Sequence, residues 1–231
     1  GELGAINPVV IRPAALGDNT EALATTLAGS IALGCGQFCT NPGLLVLPDH
    51  PDADRFVAAL KASLAQQQPP AMPTAGMRQA FVQGTATQLS HGASALLVEE
   101  DTTAAPRPFL AEVDAERFIN EHVLREEVFG PSSLVVRTRS LDEVEQVLQA
   151  VQGSLTVTLL GVDEDTADNH RLVRAATAIA GRVLFKGVPT GVAVTAAQHH
   201  GGPWPASTAP MTTSVGDAAL ERFLRPVCLQ D

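Results

Sequence analysis

The sequence has few of the residues that several large classes of protein depend on. Three cysteines in 231 residues do not make a disulfide framework. No apolar run approaches the roughly 18 residues of a membrane span, and the first residues lack the basic-then-apolar pattern of a signal peptide. Lysine occurs only at Lys61 and Lys186, which leaves a Schiff-base enzyme few candidates. We therefore expect a cytoplasmic protein without a membrane span.

The charge is also one-sided. With 15 Lys plus Arg against 25 Asp plus Glu, the formal net charge is −10 at pH 7. Such a chain repels phosphate groups, so neither nucleic acid nor an anionic membrane is an expected partner. The sequence also contains no P-loop and no GxGxxG, and nothing in it predicts binding of a nucleotide pyrophosphate by this chain alone.

The apolar residues, 45% of the chain, predict an α/β fold with a sizeable core. Short apolar strands alternate with helices of ten to fifteen residues, which is typical of a mostly parallel sheet covered on both faces, a three-layer αβα arrangement. The strand candidates are Val9–Ile11, Leu44–Leu47, Ala95–Val98, Phe109–Val113, Leu134–Val136, Leu155–Leu160 and Val183–Phe185. The helix candidates begin at Asp18, Asp52, residue 74, Ser140 and Asp165.

Cys39 is the sharpest candidate for chemistry. It lies in GCGQFCTNPG, where glycines allow tight turns and leave backbone amides free to face a ligand. A thiolate is a strong nucleophile, and a loop position is accessible. The alternative is a small buried hydrophobe, the commoner fate of a free cysteine. Cys35 and Cys39 together make a poor zinc site because no second ligand pair lies nearby in the sequence.

Three other segments could carry polar groups to a site. Glu2 precedes Leu-Gly, although a lone acid is usually a surface residue. The segment EEVFGP, residues 126–131, runs two acids into an aromatic ring and a Gly-Pro turn, and it could equally be a helix end followed by a turn. The segment HHGGPW, residues 199–204, could orient a thiol through an imidazole. It could equally close a loop onto the core through Trp204.

Taken in order, these segments resemble the C-terminal catalytic domain of the aldehyde dehydrogenase superfamily. The resemblance rests on ELGAINP, GQFCTNPG, EEVFGPSS, PTGVAV and HHGGPWPAST, and it covers essentially the whole chain. The wording is most similar to a branch that holds 2-oxoglutarate semialdehyde (2,5-dioxopentanoate) dehydrogenases and NADP-preferring fatty aldehyde dehydrogenases.

The resemblance implies a role for each matched residue. Cys39 matches the thiol that attacks the aldehyde, forming a thiohemiacetal and then a thioester, and Glu2 matches the base that activates water for thioester hydrolysis. Glu127 matches the acid that holds the nicotinamide ribose, and Phe129 matches the ring that borders the nicotinamide. His200 lies where this branch places a histidine near the thiol. The implied cofactor is NADP or NAD, with no metal.

The resemblance also implies that residues 1–231 are one catalytic domain whose dinucleotide-binding partner domain lies outside this chain. An apolar strand that starts at Val9, close to Gly1 and without an initiator Met, likewise suggests a piece of a longer protein. The expected substrate is a small aldehyde, foremost 2-oxoglutarate semialdehyde, and the family forms homo-oligomers. We expect little activity from the isolated chain.

Two departures and two other functions stay open. The commoner ELGGK reads ELGAI here, and Ala193 replaces the acid of PTGVEV. A cofactor-free thioester hydrolase or acyltransferase could use Cys39 and Glu2 alone. A non-catalytic interaction domain is the third hypothesis, although drift would be expected to remove at least one of Cys39, Glu2 and Glu127.

Overall fold

The computed structural model describes residues 1–98, 105–191 and 195–231. In these ranges a seven-stranded sheet runs in the order β3-β4-β5-β2-β1-β6-β7. Every neighbouring pair is parallel except β3 with β4. The strands are β1 Pro8–Ile11, β2 Leu44–Pro48, β3 Ser94–Leu97, β4 Phe109–Asp114, β5 Ser132–Thr138, β6 Ser154–Leu160 and β7 Ala180–Leu184.

Within the described ranges, six α-helices and four short 3₁₀ segments lie between these strands, and a fifth 3₁₀ segment follows β7. The helices are α1 Thr20–Ala32, α2 Pro51–Ala65, α3 Ala75–Ser90, α4 Ala115–Asn120, α5 Leu141–Val151 and α6 Ala167–Ile179. The 3₁₀ segments are Pro13–Ala15, Gly17–Asn19, Leu33–Gly36, His122–Arg125 and Asp217–Phe223.

Helices cover both faces of the sheet, as the sequence predicts. Because strand side chains alternate between the faces, Val10 packs into one apolar cluster while Val9 and Ile11 pack into the other. The first cluster takes its helical residues from α3, α4, α5 and α6, and the second from α1 and α2. The three-layer α/β prediction is confirmed.

Local sequence determines where most helices begin. Thr74, Asp114, Ser140 and Thr166 each accept a hydrogen bond from a backbone N–H in the first turn of the helix that follows. The prediction that Asp52 opens the second helix is wrong by one residue. Pro51 occupies the first turn, where its missing N–H costs nothing, and the His50 side chain accepts from the Asp52 backbone amide.

Three further points differ from the prediction or fall outside its test. The helices predicted from Asp18 and Asp165 each begin two residues later, at Thr20 and Ala167. The sequence did not predict α4, because six residues are too short to show a helical apolar period. Ala193, the departure from the branch pattern, lies outside the described residues. Within the described ranges, no helix is long and apolar enough to cross a membrane.

Candidate functional site

A strained loop between α1 and β2 carries Cys39. Three consecutive residues, Gly34, Cys35 and Gly36, have φ of 55°, 64° and 63°, a left-handed conformation that favours glycine. At Gly36 an added Cβ would lie 2.2 Å from the carbonyl oxygen of Gly130, so only glycine allows this close approach. The loop therefore packs directly against the Gly-Pro turn that follows Glu127, and it leaves Cys39 half-buried.

Asn7 holds the main chain of this loop. Its side chain is fully buried, and Nδ2 donates to the carbonyl oxygens of Cys39 at 2.9 Å and Asn41 at 3.0 Å. On the other side Oδ1 accepts from the backbone N–H of Thr156 at 3.2 Å and from its hydroxyl at 3.1 Å. One side-chain amide therefore ties the Cys39 loop to β6, and it contacts the Cys39 carbonyl oxygen and not the thiol.

The imidazole of His200 lies between the thiol and a carboxylate. Its Nε2 is 3.2 Å from Cys39 Sγ and 3.4 Å from Glu2 Oε1. His200 is 5% exposed, whereas the Glu2 side chain keeps 31% of its surface in solvent. The fold thus brings together three residues that are far apart in the sequence, since Cys39 lies 161 positions from His200 and Glu2 lies further still.

Two neighbouring hydroxyls orient the histidine and the carboxylate. The backbone N–H of His200 donates to Thr213 Oγ1 at 2.7 Å. The Ser214 hydroxyl donates to Glu2 Oε1 at 2.7 Å, and the Ser214 backbone N–H donates to the His200 carbonyl at 2.9 Å. The segment that follows Trp204 therefore braces both His200 and Glu2.

The local electrostatics keep the resting thiol protonated. Burial raises the pKa of Cys39, the negative charge of Glu2 raises it further, and backbone N–H groups of residues 39 and 40 oppose the shift. Burial lowers the pKa of His200, against the effect of Glu2 and with a contribution from the positive charge of Arg182. A neutral imidazole beside a neutral thiol can accept the thiol proton as the reaction begins.

Glu127 and Phe129 open into the same cleft as the thiol. Burial of the Glu127 carboxyl raises its pKa to about 7, although part of the residue remains in solvent, and a hydrogen bond with the Ala5 backbone opposes the shift. The Phe129 ring is 37% exposed. The cleft is lined by Glu2, Leu3, Gly4, Ala5, Cys39, Glu127, Phe129 and Leu155.

All five residues predicted from the sequence therefore lie at one site, with Cys39, His200 and Glu2 in contact and Glu127 and Phe129 along the cleft. Their individual roles stay predictions. Cys35 is buried and Cys228 is exposed in the C-terminal tail, so neither joins the site.

Sequence reasoning missed Asn7, Ser214 and Arg182. Asn7 stands inside ELGAINP and Ser214 inside the segment after Trp204, but neither motif shows what its side chain would touch. Arg182 lies in β7, and its guanidinium donates to the carbonyl oxygens of Gly191 and Pro189. No spacing rule could have placed its charge near His200.

Comparison with known proteins gives relatives over the whole chain. The chain is 44% identical over 238 residues to alpha-ketoglutaric semialdehyde dehydrogenase 2 of Azospirillum brasilense, and this match covers 100% of the chain and 44% of that protein. It is 36% identical over 234 residues to alpha-ketoglutaric semialdehyde dehydrogenase of Acinetobacter baylyi, with the same two coverages. The chain thus spans less than half the length of these relatives. No family model matches it.

Solved structures share the fold. The gamma-glutamyl-gamma-aminobutyraldehyde dehydrogenase of Burkholderia cenocepacia superposes with a TM-score of 0.74 at 19% identity, covering 96% of this chain and 44% of that one. An indole-3-acetaldehyde dehydrogenase in complex with NAD+ superposes with a TM-score of 0.70 at 19% identity, covering 87% and 41%. Over its whole length the chain is therefore similar in sequence to part of two alpha-ketoglutaric semialdehyde dehydrogenases, and it shares its fold with solved aldehyde dehydrogenases, as the order of its motifs leads us to expect.

Proposed function

We propose that this chain is the thiol-bearing catalytic domain of an NADP- or NAD-dependent aldehyde dehydrogenase that oxidises 2-oxoglutarate semialdehyde to 2-oxoglutarate. The observation that carries the proposal is the convergence of Cys39 Sγ, His200 Nε2 and Glu2 Oε1 within hydrogen-bonding range at the cleft that also holds Glu127. A nucleophile, a proton acceptor and a second base are the groups that acyl transfer through a thioester needs.

The first half of the reaction uses Cys39 and His200. As the thiol sulfur bonds to the aldehyde carbon, its proton passes to His200 Nε2, 3.2 Å away. The adduct is a thiohemiacetal, and loss of hydride converts it to a thioester on Cys39. A raised thiol pKa makes the proton acceptor necessary, because little thiolate is present beforehand.

The cofactor fits the part of the cleft formed by Glu127 and Phe129. A half-exposed aromatic ring offers a flat apolar border, and a carboxylate beside it can accept hydrogen bonds from ribose hydroxyls. The nicotinamide group supplies the hydride acceptor when it is bound. Because the sequence has no glycine-rich pyrophosphate motif, we propose that a separate dinucleotide-binding domain holds the rest of the cofactor and that the isolated chain turns over little or not at all.

The second half of the reaction uses Glu2. Its carboxylate takes a proton from the water whose oxygen bonds to the thioester carbon. The C–S bond then breaks, the acid is released, and the sulfur takes back the proton held by His200 Nε2, which restores the Cys39 thiol. Ser214 and His200 both contact Oε1, so Oε2 is the oxygen we assign to the water. Partial exposure of the side chain gives water access to it.

The substrate follows from the two relatives, each of which is named an alpha-ketoglutaric semialdehyde dehydrogenase. Fatty or other aldehydes of the same branch are the first alternative. A cofactor-free thioester hydrolase remains the second, and it is favoured only by the fact that Cys39 and Glu2 are both in this chain. Cytoplasmic location and homo-oligomer formation stay predictions.

The test uses the enzyme that contains this chain together with a dinucleotide-binding domain. With 2-oxoglutarate semialdehyde and NADP or NAD, we expect reduced cofactor to accumulate, and we expect Cys39→Ala to lower the rate by at least about 10³-fold. Glu2→Gln should leave a single burst of reduced cofactor and slow steady turnover by about 10²- to 10⁴-fold, since the thioester still forms. Cys228→Ser is the matched control and should retain full activity.

Three results would contradict the proposal. The first is full activity of the Cys39→Ala enzyme, and the second is a Glu2→Gln enzyme that loses the burst along with turnover. The third is rapid hydrolysis of a small thioester by the isolated 231-residue chain without cofactor, which would favour the hydrolase instead.

A further inference from the structure

The three side chains at the thiol form a set of metal ligands as well as a catalytic group. One carboxylate oxygen, one imidazole nitrogen and one sulfur, from Glu2, His200 and Cys39, all lie within 4.8 Å of one another. The separations are 3.2 Å from Sγ to Nε2 and 3.4 Å from Nε2 to Oε1. No other such group occurs among the residues that the structure describes.

These separations match the edges of a tetrahedral zinc site. Zinc binds thiolate sulfur at about 2.3 Å and imidazole nitrogen or carboxylate oxygen at about 2.0–2.2 Å, so two ligands of one tetrahedral ion lie roughly 3.3–3.6 Å apart. The two observed distances from Nε2, 3.2 Å to Sγ and 3.4 Å to Oε1, fall within about 0.2 Å of that range. The third separation, from Sγ to the carboxylate oxygen, is at most 4.8 Å, and a bound ion would bring it to about 3.6 Å.

The donor set also selects the class of metal. Thiolate and imidazole are poor ligands for Mg²⁺ or Ca²⁺, which prefer oxygen, and good ligands for Zn²⁺. The main chain around His200 is already fixed by Thr213 and Ser214, and Ser214 also holds the Glu2 oxygen that would face the ion. This second layer of contacts is typical of zinc sites, where it orients the ligands.

We propose that Zn²⁺ binds reversibly to Cys39, His200 and Glu2, with the fourth position open to water, and that it blocks the site rather than serving as a cofactor. The ion would occupy the sulfur, the nitrogen and the carboxylate that the proposed function needs. A zinc-bound thiolate is a weaker nucleophile toward an aldehyde, a zinc-bound imidazole nitrogen has no free lone pair for the thiol proton, and a zinc-bound carboxylate is a weaker base toward water. The blocking effect rests on the proposed function, but the binding does not.

Binding is tested on the 231-residue chain without aldehyde or nicotinamide cofactor. The chain is stripped with EDTA and titrated with Zn²⁺ against a chromophoric chelator. We expect one ion per chain, and we expect Cys39→Ser, His200→Gln and Glu2→Gln each to weaken binding by at least about 10-fold. His199→Gln and Cys228→Ser are the matched controls, since they remove an adjacent imidazole and an exposed thiol, and neither should change the affinity.

Two further measurements test the Cys39 thiolate as a ligand directly, and neither depends on how well a variant folds. Co²⁺ bound to the unmodified chain should show a thiolate-to-cobalt charge-transfer band. Zn²⁺ should slow the alkylation of Cys39 by iodoacetamide, and EDTA should restore the rate. Peptide mapping measures this alkylation separately from that of Cys35 and Cys228. Affinity unchanged in Cys39→Ser, a cobalt spectrum without the thiolate band, or alkylation of Cys39 unaffected by zinc would each overturn the proposal. Because no turnover is measured, these outcomes are independent of those that test the proposed function.

Discussion

The substitution Asn7→Ala should destabilise the protein more than the size of the side chain suggests. Asn7 is fully buried and has a φ of 45°, a left-handed conformation that asparagine tolerates better than alanine. Its side chain is hydrogen-bonded to the carbonyl oxygens of Cys39 and Asn41 and to the backbone N–H of Thr156. Alanine would leave these backbone groups without their partner and would strain its own backbone.

The expected loss can be divided into two parts. A buried backbone group left without a partner costs about 1–3 kcal/mol, and Asn7 is bonded to several such groups, so this part is about 3 kcal/mol after partial relaxation. The left-handed backbone adds about 1 kcal/mol for alanine. The total of about 4 kcal/mol is a large fraction of the roughly 5–15 kcal/mol that stabilises a domain. Asn7→Gly keeps the hydrogen-bond loss but removes the backbone strain, so it should cost about 1 kcal/mol less.

Urea unfolding followed by far-ultraviolet circular dichroism measures both substitutions. The control is Asn19→Ala, because Asn19 is exposed and its side chain makes no capping bond to α1, and this change should stay within about 0.5 kcal/mol of the original chain. A loss below about 1 kcal/mol for Asn7→Ala would refute the hydrogen-bond part. Equal losses for Asn7→Ala and Asn7→Gly would refute the backbone part.

Four other changes test separate features by the same unfolding assay. Gly36→Ala should lower the free energy of unfolding by at least about 2 kcal/mol, because alanine is strained in a left-handed backbone and its Cβ would lie 2.2 Å from the Gly130 carbonyl oxygen. A neutral result would show that the loop can move away from Gly130. Phe56→Ala, at a fully buried position, should cost about 3–5 kcal/mol. Arg171→Ala removes ion pairs at the surface and should cost far less than Phe56→Ala, and less still at high salt. Glu127 has a pKa raised from 4.5 to about 7 in the folded chain, so the folded state binds this proton more tightly than the unfolded state does. The contribution of proton binding by Glu127 to folding stability is therefore lost as the pH rises from about 4.5 to 7. Glu127→Gln should therefore be more stable relative to the original chain at pH 8 than at pH 5, and the opposite trend would contradict the burial of this carboxyl.

The fold could be predicted from the sequence because its elements carry their own local signals. The runs Val9–Ile11 and Leu44–Leu47 are apolar at successive positions, which only a strand buried on both faces requires, and both became central strands. Ser140 begins α5 because its hydroxyl can accept from the Glu143 backbone N–H, a contact between residues three apart. Such signals need no tertiary contact.

The site could be predicted only through the resemblance, because no local signal joins its parts. His200 lies 161 residues from Cys39, and Ser214 lies 212 residues from Glu2. A pattern within a window of ten or twenty residues cannot show that these atoms meet. Asn7 is the instructive case, since it stands in a quoted motif while its partners Cys39, Asn41 and Thr156 lie far along the chain, so only the structure reveals what it does.

The way the site is held suits a reaction with two separate steps. Asn7 fixes the Cys39 loop through a backbone carbonyl at 2.9 Å, and Thr213 fixes His200 through its backbone N–H at 2.7 Å. The carboxylate is held as well, because Glu2 Oε1 accepts a 2.7 Å hydrogen bond from the Ser214 hydroxyl, and the proposed reaction uses its other oxygen, Oε2. In the first step the thiol gives its proton to His200 Nε2, 3.2 Å away, and in the second step the carboxylate accepts a proton from water. The two steps thus use different proton acceptors, and each acceptor is oriented by its own contacts before its step begins.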